Sequence, residues 1–115
     1  MGTILIRVDS TQQIGIGHLI RCLDFANHIL EKGVNPLFLT CTSSAKEIID
    51  NRGFECILID KNYRHALKEI KRLKNNHSVK VILLDINYSS TVEKRYEYLH
   101  SLQELKTMNF FLITF

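Results

Sequence analysis

No apolar run in this chain of 115 residues approaches the roughly 20 that a membrane-spanning helix needs, so no membrane span is expected. The start, Met1-Gly2-Thr3-Ile4, lacks the basic opening and long apolar stretch of a secretory leader. Ile6 stands where a myristoylation signal at Gly2 would need serine or threonine. Cysteine is scarce: Cys22, Cys41 and Cys56 are odd in number and widely spaced, without a Cys-x-x-Cys pair. That favours reduced thiols in a cytoplasmic protein over a disulfide frame or a zinc site, and no metal is expected. Acids are rare between Lys61 and Lys80, where Glu69 alone faces Lys61, Arg64, Lys68, Lys71, Arg72, Lys74 and Lys80. A nucleic-acid or acidic-surface patch is one reading. The other is the solvated face of a helix whose apolar side is Ala66, Leu67, Ile70 and Leu73. With no aromatic interleaving and no nucleic-acid motif, the solvated face is preferred and no nucleic-acid partner is expected. Internal repeats, low-complexity tracts and linkers are absent too.

What remains is an ordinary globular composition, 45% hydrophobic and 23% charged, with a modest net charge of +3. The length suits a single domain over residues 1–115, and is small for a complete two-domain enzyme. Ile4-Leu5-Ile6 and Val8 make a first strand. Leu19, Ile20, Leu23, Ala26, Ile29 and Leu30 then fall at helical spacing on one face, giving a helix from Gly17 or His18 to about Lys32, stopped by Gly33. Leu37 to Cys41 is a second strand behind Pro36. Ser43 or Ser44 can cap a short helix from Ala45 to about Asn51, ending near Gly53. Phe54 to Ile59 reads as a strand and Tyr63 to about Lys74 as the basic helix. Asn75-Asn76-His77 reads as a loop, and Val79 to Leu84, closed by Asp85, as the most apolar strand. Thr91 to about Leu105 is a last helix, and Asn109 to Phe115 a final strand. Strands alternating with helices predict a doubly wound, Rossmann-like α/β fold with about five parallel strands. Phe110 to Phe115 running straight to the end means that either the sheet finishes there or the chain is one lobe of something longer. An exposed face on that strand would favour self-association or a partner.

The stretch between the first strand and the first helix, Asp9 to His18, lies where ligands bind in such sheets. Unpaired backbone N–H groups and the positive end of the helix dipole attract anions there. Gly15 and Gly17 let backbone approach a ligand, or take positive φ if the turn needs it. Dinucleotide binding is not supported, because Ile20 stands at the third glycine position and Thr40-Cys41-Thr42-Ser43 supplies no carboxylate for a ribose. A P-loop fails for want of Gly-Lys-Ser/Thr. A phosphoacceptor receiver would want a second acid beside Asp9, where Ser10 stands, and a lysine after the fifth strand. His18 offers more. In the first helical turn the dipole disfavours the charged ring, and a neutral imidazole there can act as general base toward a water or hydroxyl. Simple packing at the helix start is the alternative. Arg7 and Asp9, two apart, point to one side, either bracing the loop, facing the cleft, or forming a structural ion pair.

Arg7-x-Asp9, Ile14-Gly15-x-Gly17-His18 and Arg21-Cys22-Leu23, with Ala26 following, span about seventeen positions. They resemble the opening of the UDP-2,4-diacetamido-2,4,6-trideoxy-β-L-altropyranose hydrolases of the pseudaminic acid pathway. Those are grouped with spore coat polysaccharide biosynthesis proteins and are similar to MurG-type glycosyltransferases. The resemblance implies a GT-B enzyme of which this chain is the N-terminal lobe, the second lobe supplying most of the UDP site in cis or in trans. It implies a UDP-sugar substrate, no cofactor and no metal, with His18 activating the water that displaces UDP. Gly15, Ile16 and Gly17 would shape the pocket, and Arg21 would contact the anion or support the loop. Asp9 would face the cleft. Asp85-Ile86-Asn87-Tyr88 carries the acid and tyrosine of a sugar-site tripeptide one residue further apart, so Tyr88 either reaches the cleft or is an ordinary loop aromatic. The expectations are therefore a nucleotide-sugar hydrolase, with a MurG-like glycosyltransferase lobe or a non-catalytic binding module as alternatives. An isolated lobe of this kind is expected to bind nucleotide-sugar weakly and turn over little.

Overall fold

The β-branched opening run does form the centre of the molecule. The computed structural model describes residues 2–10, 16–59, 63–77, 79–85, 103 and 111–114. Strand β1 (Thr3–Val8) is buried along nearly its whole length. It pairs in parallel with β2 (Asn35–Thr40) on one side and β4 (Val79–Asp85) on the other. Beyond β2 lies the short edge strand β3 (Glu55–Leu58), and beyond β4 lies β5 (Phe111–Thr114), both parallel. The five-stranded order is β3-β2-β1-β4-β5. The chain winds outward from β1 to β3, then returns past β1 to start β4. That reversal opens a crevice outside the carboxyl ends of β1 and β4.

Alternation along β1 divides the core into two layers. Leu5 faces one way, with Leu37, Leu39 and Ile82, against Leu67, Ile70 and Leu73 of helix α3 (Tyr63–His77). Ile6 and Val8 face the other way, with Phe38 and Leu83. That second layer is covered by Leu19, Cys22, Leu23 and Ala26 of α1 (Gly17–Glu31), and by Ala45 and Ile49 of α2 (Ser43–Asn51). Each such leucine taken fully out of water contributes about 1.5–3 kcal/mol, far more than the helix propensity of one residue. Burial of these faces, rather than local preference, therefore holds the helices in place. On α3, Lys68, Lys71 and Arg72 are exposed opposite the buried leucines, and Arg72 pairs with Glu69 at 2.6 Å. Lys68, Lys71 and Arg72 thus lie on the water-facing side of an amphipathic helix.

Pro36 sits inside β2, opposite Ile4. It is tolerated because β3 joins β2 only from Leu37 onward, so the missing N–H breaks no ladder on that side. Asn75 and Asn76, expected in a loop, belong to α3, which runs one turn further to His77. No glycine or proline follows Leu73 to stop it, and Leu73 itself is buried. The serines expected to cap α2 do not: Thr42 is its N-cap residue, without a side-chain cap bond. The helix expected over residues 91–105 lies outside the described residues, apart from helical Gln103.

Both α1 and α2 close on a glycine with positive φ, Gly33 at 83° and Gly53 at 81°. In α1, Gly33 N–H donates to the Leu30 carbonyl and Val34 N–H to the Ile29 carbonyl, both at 3.0 Å. In α2, Gly53 donates to Asp50 and Phe54 to Ile49 in the same pattern. These are Schellman caps, which need a left-handed residue. A Cβ on Gly53 would meet nothing within 4 Å, so its cost is purely conformational. Gly53→Ala is expected to lower stability by about 1–2 kcal/mol, read as a lower urea midpoint with an unchanged slope. An unchanged midpoint would contradict the cap.

Candidate functional site

Because every strand is parallel, the carboxyl ends of β1 and β2 and the N-terminus of α1 lie along one rim. The first element there is a hub of hydrogen bonds on Asp9. Its Oδ1 accepts from Arg7 Nη1 at 2.6 Å, from the Cys41 backbone N–H at 2.8 Å and from Thr40 Oγ1 at 3.0 Å. The neighbouring hydroxyls extend the hub. Ser10 N–H donates to Thr42 Oγ1, Thr42 N–H donates to Thr40 Oγ1, and the Thr40 and Thr42 hydroxyls lie 3.3 Å apart. Ser44 Oγ donates to the Ser10 carbonyl at 2.6 Å. The loop leaving β1 is thereby tied to the loop leaving β2. Of the readings open for Arg7 and Asp9, the structure shows a buried ion pair that braces the loop, with side chains 3% and 13% exposed.

Burial by itself would raise the Asp9 carboxyl, but the Arg7 charge and hydrogen bond, with the Cys41 N–H, together hold it below its usual value. A carboxyl lowered in the folded state adds stability that is complete above its unfolded value near pH 4 and is lost as pH falls through the folded one. Stability is therefore expected to fall on acidification below about pH 4, and this component should vanish in Asp9→Asn. Urea unfolding at a series of pH values checks it. Burial also raises the thiols of Cys41, where Asp9 adds to the effect, and of Cys56, pushed up to about 12. Neither has the lowered thiol that a nucleophile requires.

The second element is the start of α1. Ile16 occupies the N-cap position at φ −98° without a side-chain cap, and no acid lies in the first turn. The backbone donors of that turn thus have neither an intrahelical partner nor a carboxylate from the first turn itself. Ile16 is 50% exposed, Gly17 is exposed and His18 is half-buried, so the imidazole is not walled into the core. Gly17 does not have positive φ, and among the described residues a Cβ there would meet nothing within 4 Å. Its backbone is therefore one that other residues can adopt. Arg21, one turn on and exposed, places Nη2 2.9 Å from His18 Nδ1. A guanidinium can only donate, so Nδ1 must supply the lone pair and the ring proton of the neutral form sits on Nε2.

Ile16, Gly17, His18 and Arg21 thus come together at one helix start, and Asp9 lies at the end of the adjoining strand, turned into the hub. Gly15 and Tyr88 fall outside the described residues. Thr40, Thr42, Ser10 and Ser44 were missed as site-forming residues. The signal was present, since short hydroxyl side chains clustered after β2 are natural partners for a lone acid after β1.

No family model and no curated protein matches the chain. Among solved structures with its fold, a glycosyltransferase from Rickettsia africae ESF-5 aligns with a TM-score of 0.70 at 14% identity, over 98% of this chain and 29% of its own. MurG from Acinetobacter baumannii aligns with a TM-score of 0.68 at 12% identity, over 99% of this chain and 34% of its own. The fold is that of a GT-B half-domain. The chain spans about a third of the length of either protein. These neighbours overturn the expectation of a nucleotide-sugar hydrolase: they are glycosyltransferases, and the transferase alternative fits them better. They support a MurG-like lobe without singling out the pseudaminic acid pathway.

Proposed function

We propose that this chain serves as one lobe of a UDP-sugar glycosyltransferase, working with a second lobe supplied in cis or in trans. The observation that carries the reading is the exposed His18–Arg21 pair at the start of α1, on the rim where a Rossmann-like sheet receives ligands. The resemblance of Ile14-Gly15-x-Gly17-His18 and Arg21-Cys22-Leu23 to nucleotide-sugar enzymes of surface polysaccharide synthesis supports a UDP-sugar donor.

In this reading the acceptor hydroxyl attacks the anomeric carbon and its proton passes to His18. The bond from that carbon to the diphosphate oxygen breaks, and its electron pair leaves with UDP. Ile16 and Gly17 form the wall of the turn beside the diphosphate, with Gly15 added by the sequence resemblance alone, and Arg21 meets its charge. Asp9 keeps the loop leaving β1 in place through Arg7 and β2, and Tyr88 is assigned a sugar contact by the sequence resemblance alone. One lobe offers few groups to stabilise the leaving diphosphate, so the chain by itself should hold UDP only in the millimolar range and release little from a UDP-sugar.

Titrating UDP into the 15N-labelled chain is expected to shift the amides of residues 16–21 while those of α3 stay still. If the shifts are confined to α3, or absent at the first turn, the reading fails. Where the second lobe is present, UDP release should depend on an added acceptor alcohol, with no free sugar formed in its absence.

A further inference from the structure

We propose that Arg21 is a positioning residue that occupies His18 Nδ1 at rest and transfers its hydrogen bond to the donor's diphosphate, so that donor binding frees the base. This rests on the glycosyltransferase reading above. At rest, Nδ1 accepts from Arg21 Nη2 at 2.9 Å. Nε2 then carries the ring proton, and the neutral imidazole has no lone pair left for an acceptor hydroxyl. A base held this way is unable to deprotonate anything until Arg21 moves.

The diphosphate gives Arg21 a reason to move. A guanidinium binds phosphate oxygens with two parallel charge-assisted bonds, which are stronger than one bond to a neutral ring nitrogen. Arg21 is exposed, and Arg21 and His18 sit one turn apart on the same helix, so a side-chain rotation suffices and no backbone has to shift. Among the described residues nothing stands over Gly17, beside them at the start of α1. Once Arg21 is on the diphosphate, Nδ1 regains its lone pair and can take the acceptor's proton, giving an imidazolium with protons on both nitrogens. The order of events follows: donor first, acceptor deprotonation second. Without donor the site is held inactive.

The test uses the 115-residue chain with 15N-labelled histidines, read by long-range 1H–15N spectra above the pH where the rings titrate. His18→Gln assigns the signal. In the free chain, His18 is expected to show a hydrogen-bonded, unprotonated Nδ1, and Arg21→Met, which has no donor to offer, should move that nitrogen toward the position of an unbonded lone pair. Millimolar UDP should move the wild-type signal toward the Arg21→Met position and leave the variant's signal nearly unchanged. An Nδ1 signal that is the same in wild type and Arg21→Met overturns the resting bond. A UDP titration that shifts the first-turn amides but not His18 Nδ1 overturns the exchange while leaving the donor site standing. If UDP shifts nothing in residues 16–21, the glycosyltransferase reading fails and the exchange falls with it.

Discussion

Replacing Asp9 with alanine is expected to destabilise the fold by about 3–5 kcal/mol, the usual cost of stranding one partner of a buried ion pair. The size of the effect follows from what the carboxylate holds. Its Oδ1 is shared by Arg7, Thr40 and the Cys41 N–H, and Arg7 is only 2% exposed. Removing the acid leaves a guanidinium charge in the sheet interior with no other carboxylate paired to it among the described residues. Arg7 Nε is already buried without a hydrogen-bond partner among the described residues, so that side chain has little capacity to find a substitute. Asp9→Asn should cost less, because a carboxamide oxygen still accepts from Thr40 and Cys41. Urea unfolding of the two variants beside wild type measures the difference. An Asp9→Ala loss below about 1 kcal/mol would place the pair with surface salt bridges and remove the brace as an explanation for the loop.

The second large effect is expected in turnover rather than in stability. His18→Ala should lower the rate of sugar transfer by about 10²–10⁴-fold, the range a positioned general base contributes. The measurement is made with the second lobe present and at saturating UDP-sugar. The half-exposed ring makes no large contribution to the core, so folding stability should stay within about 0.5 kcal/mol of wild type. Gly17→Ala separates shape from chemistry. Its ordinary φ, and the lack of any contact for an added Cβ among the described residues, predict a fold as stable as wild type, or up to about 1 kcal/mol more stable. The added methyl stands in the room left beside the first turn, so donor binding should weaken. A His18→Ala enzyme with full transfer rate would assign the ring to packing at the helix start.

The layered fold was legible because its cues are local and repeated. Ile4 to Val8 is too short and too β-branched for a helix, the spacing from Leu19 to Ile29 admits no strand, and Gly33 and Gly53 mark helix ends that only a left-handed residue can close. The boundaries that moved did so for tertiary reasons. Asn75 and Asn76 look like loop residues, but α3 continues through them because Leu73 anchors that turn against the sheet. The site was less legible. His18 and Arg21 are three apart in sequence, so their meeting on one helix face follows from the pitch of the helix; that the arginine would take up Nδ1 does not. The hub around Asp9 joins residues more than thirty positions apart, and pairing of β1 with β2 has to be known before Thr40 can be set beside it. The choice between hydrolysis and transfer was not legible at all. The same imidazole can activate a water or a sugar hydroxyl, and the first turn does not say which one arrives.

On the far flank of the sheet, Lys46 Nζ donates to the Cys56 carbonyl of β3 at 3.1 Å while also pairing with Asp50. The outermost ribbon is only four residues long, and one of its acceptors is already claimed by an ammonium group from the helix beside it. A foreign extended segment would find a short, partly occupied template. The consequence is colloidal: this margin resists recruitment into aggregates, so molecules crowded together in solution are steered away from stacking along β3.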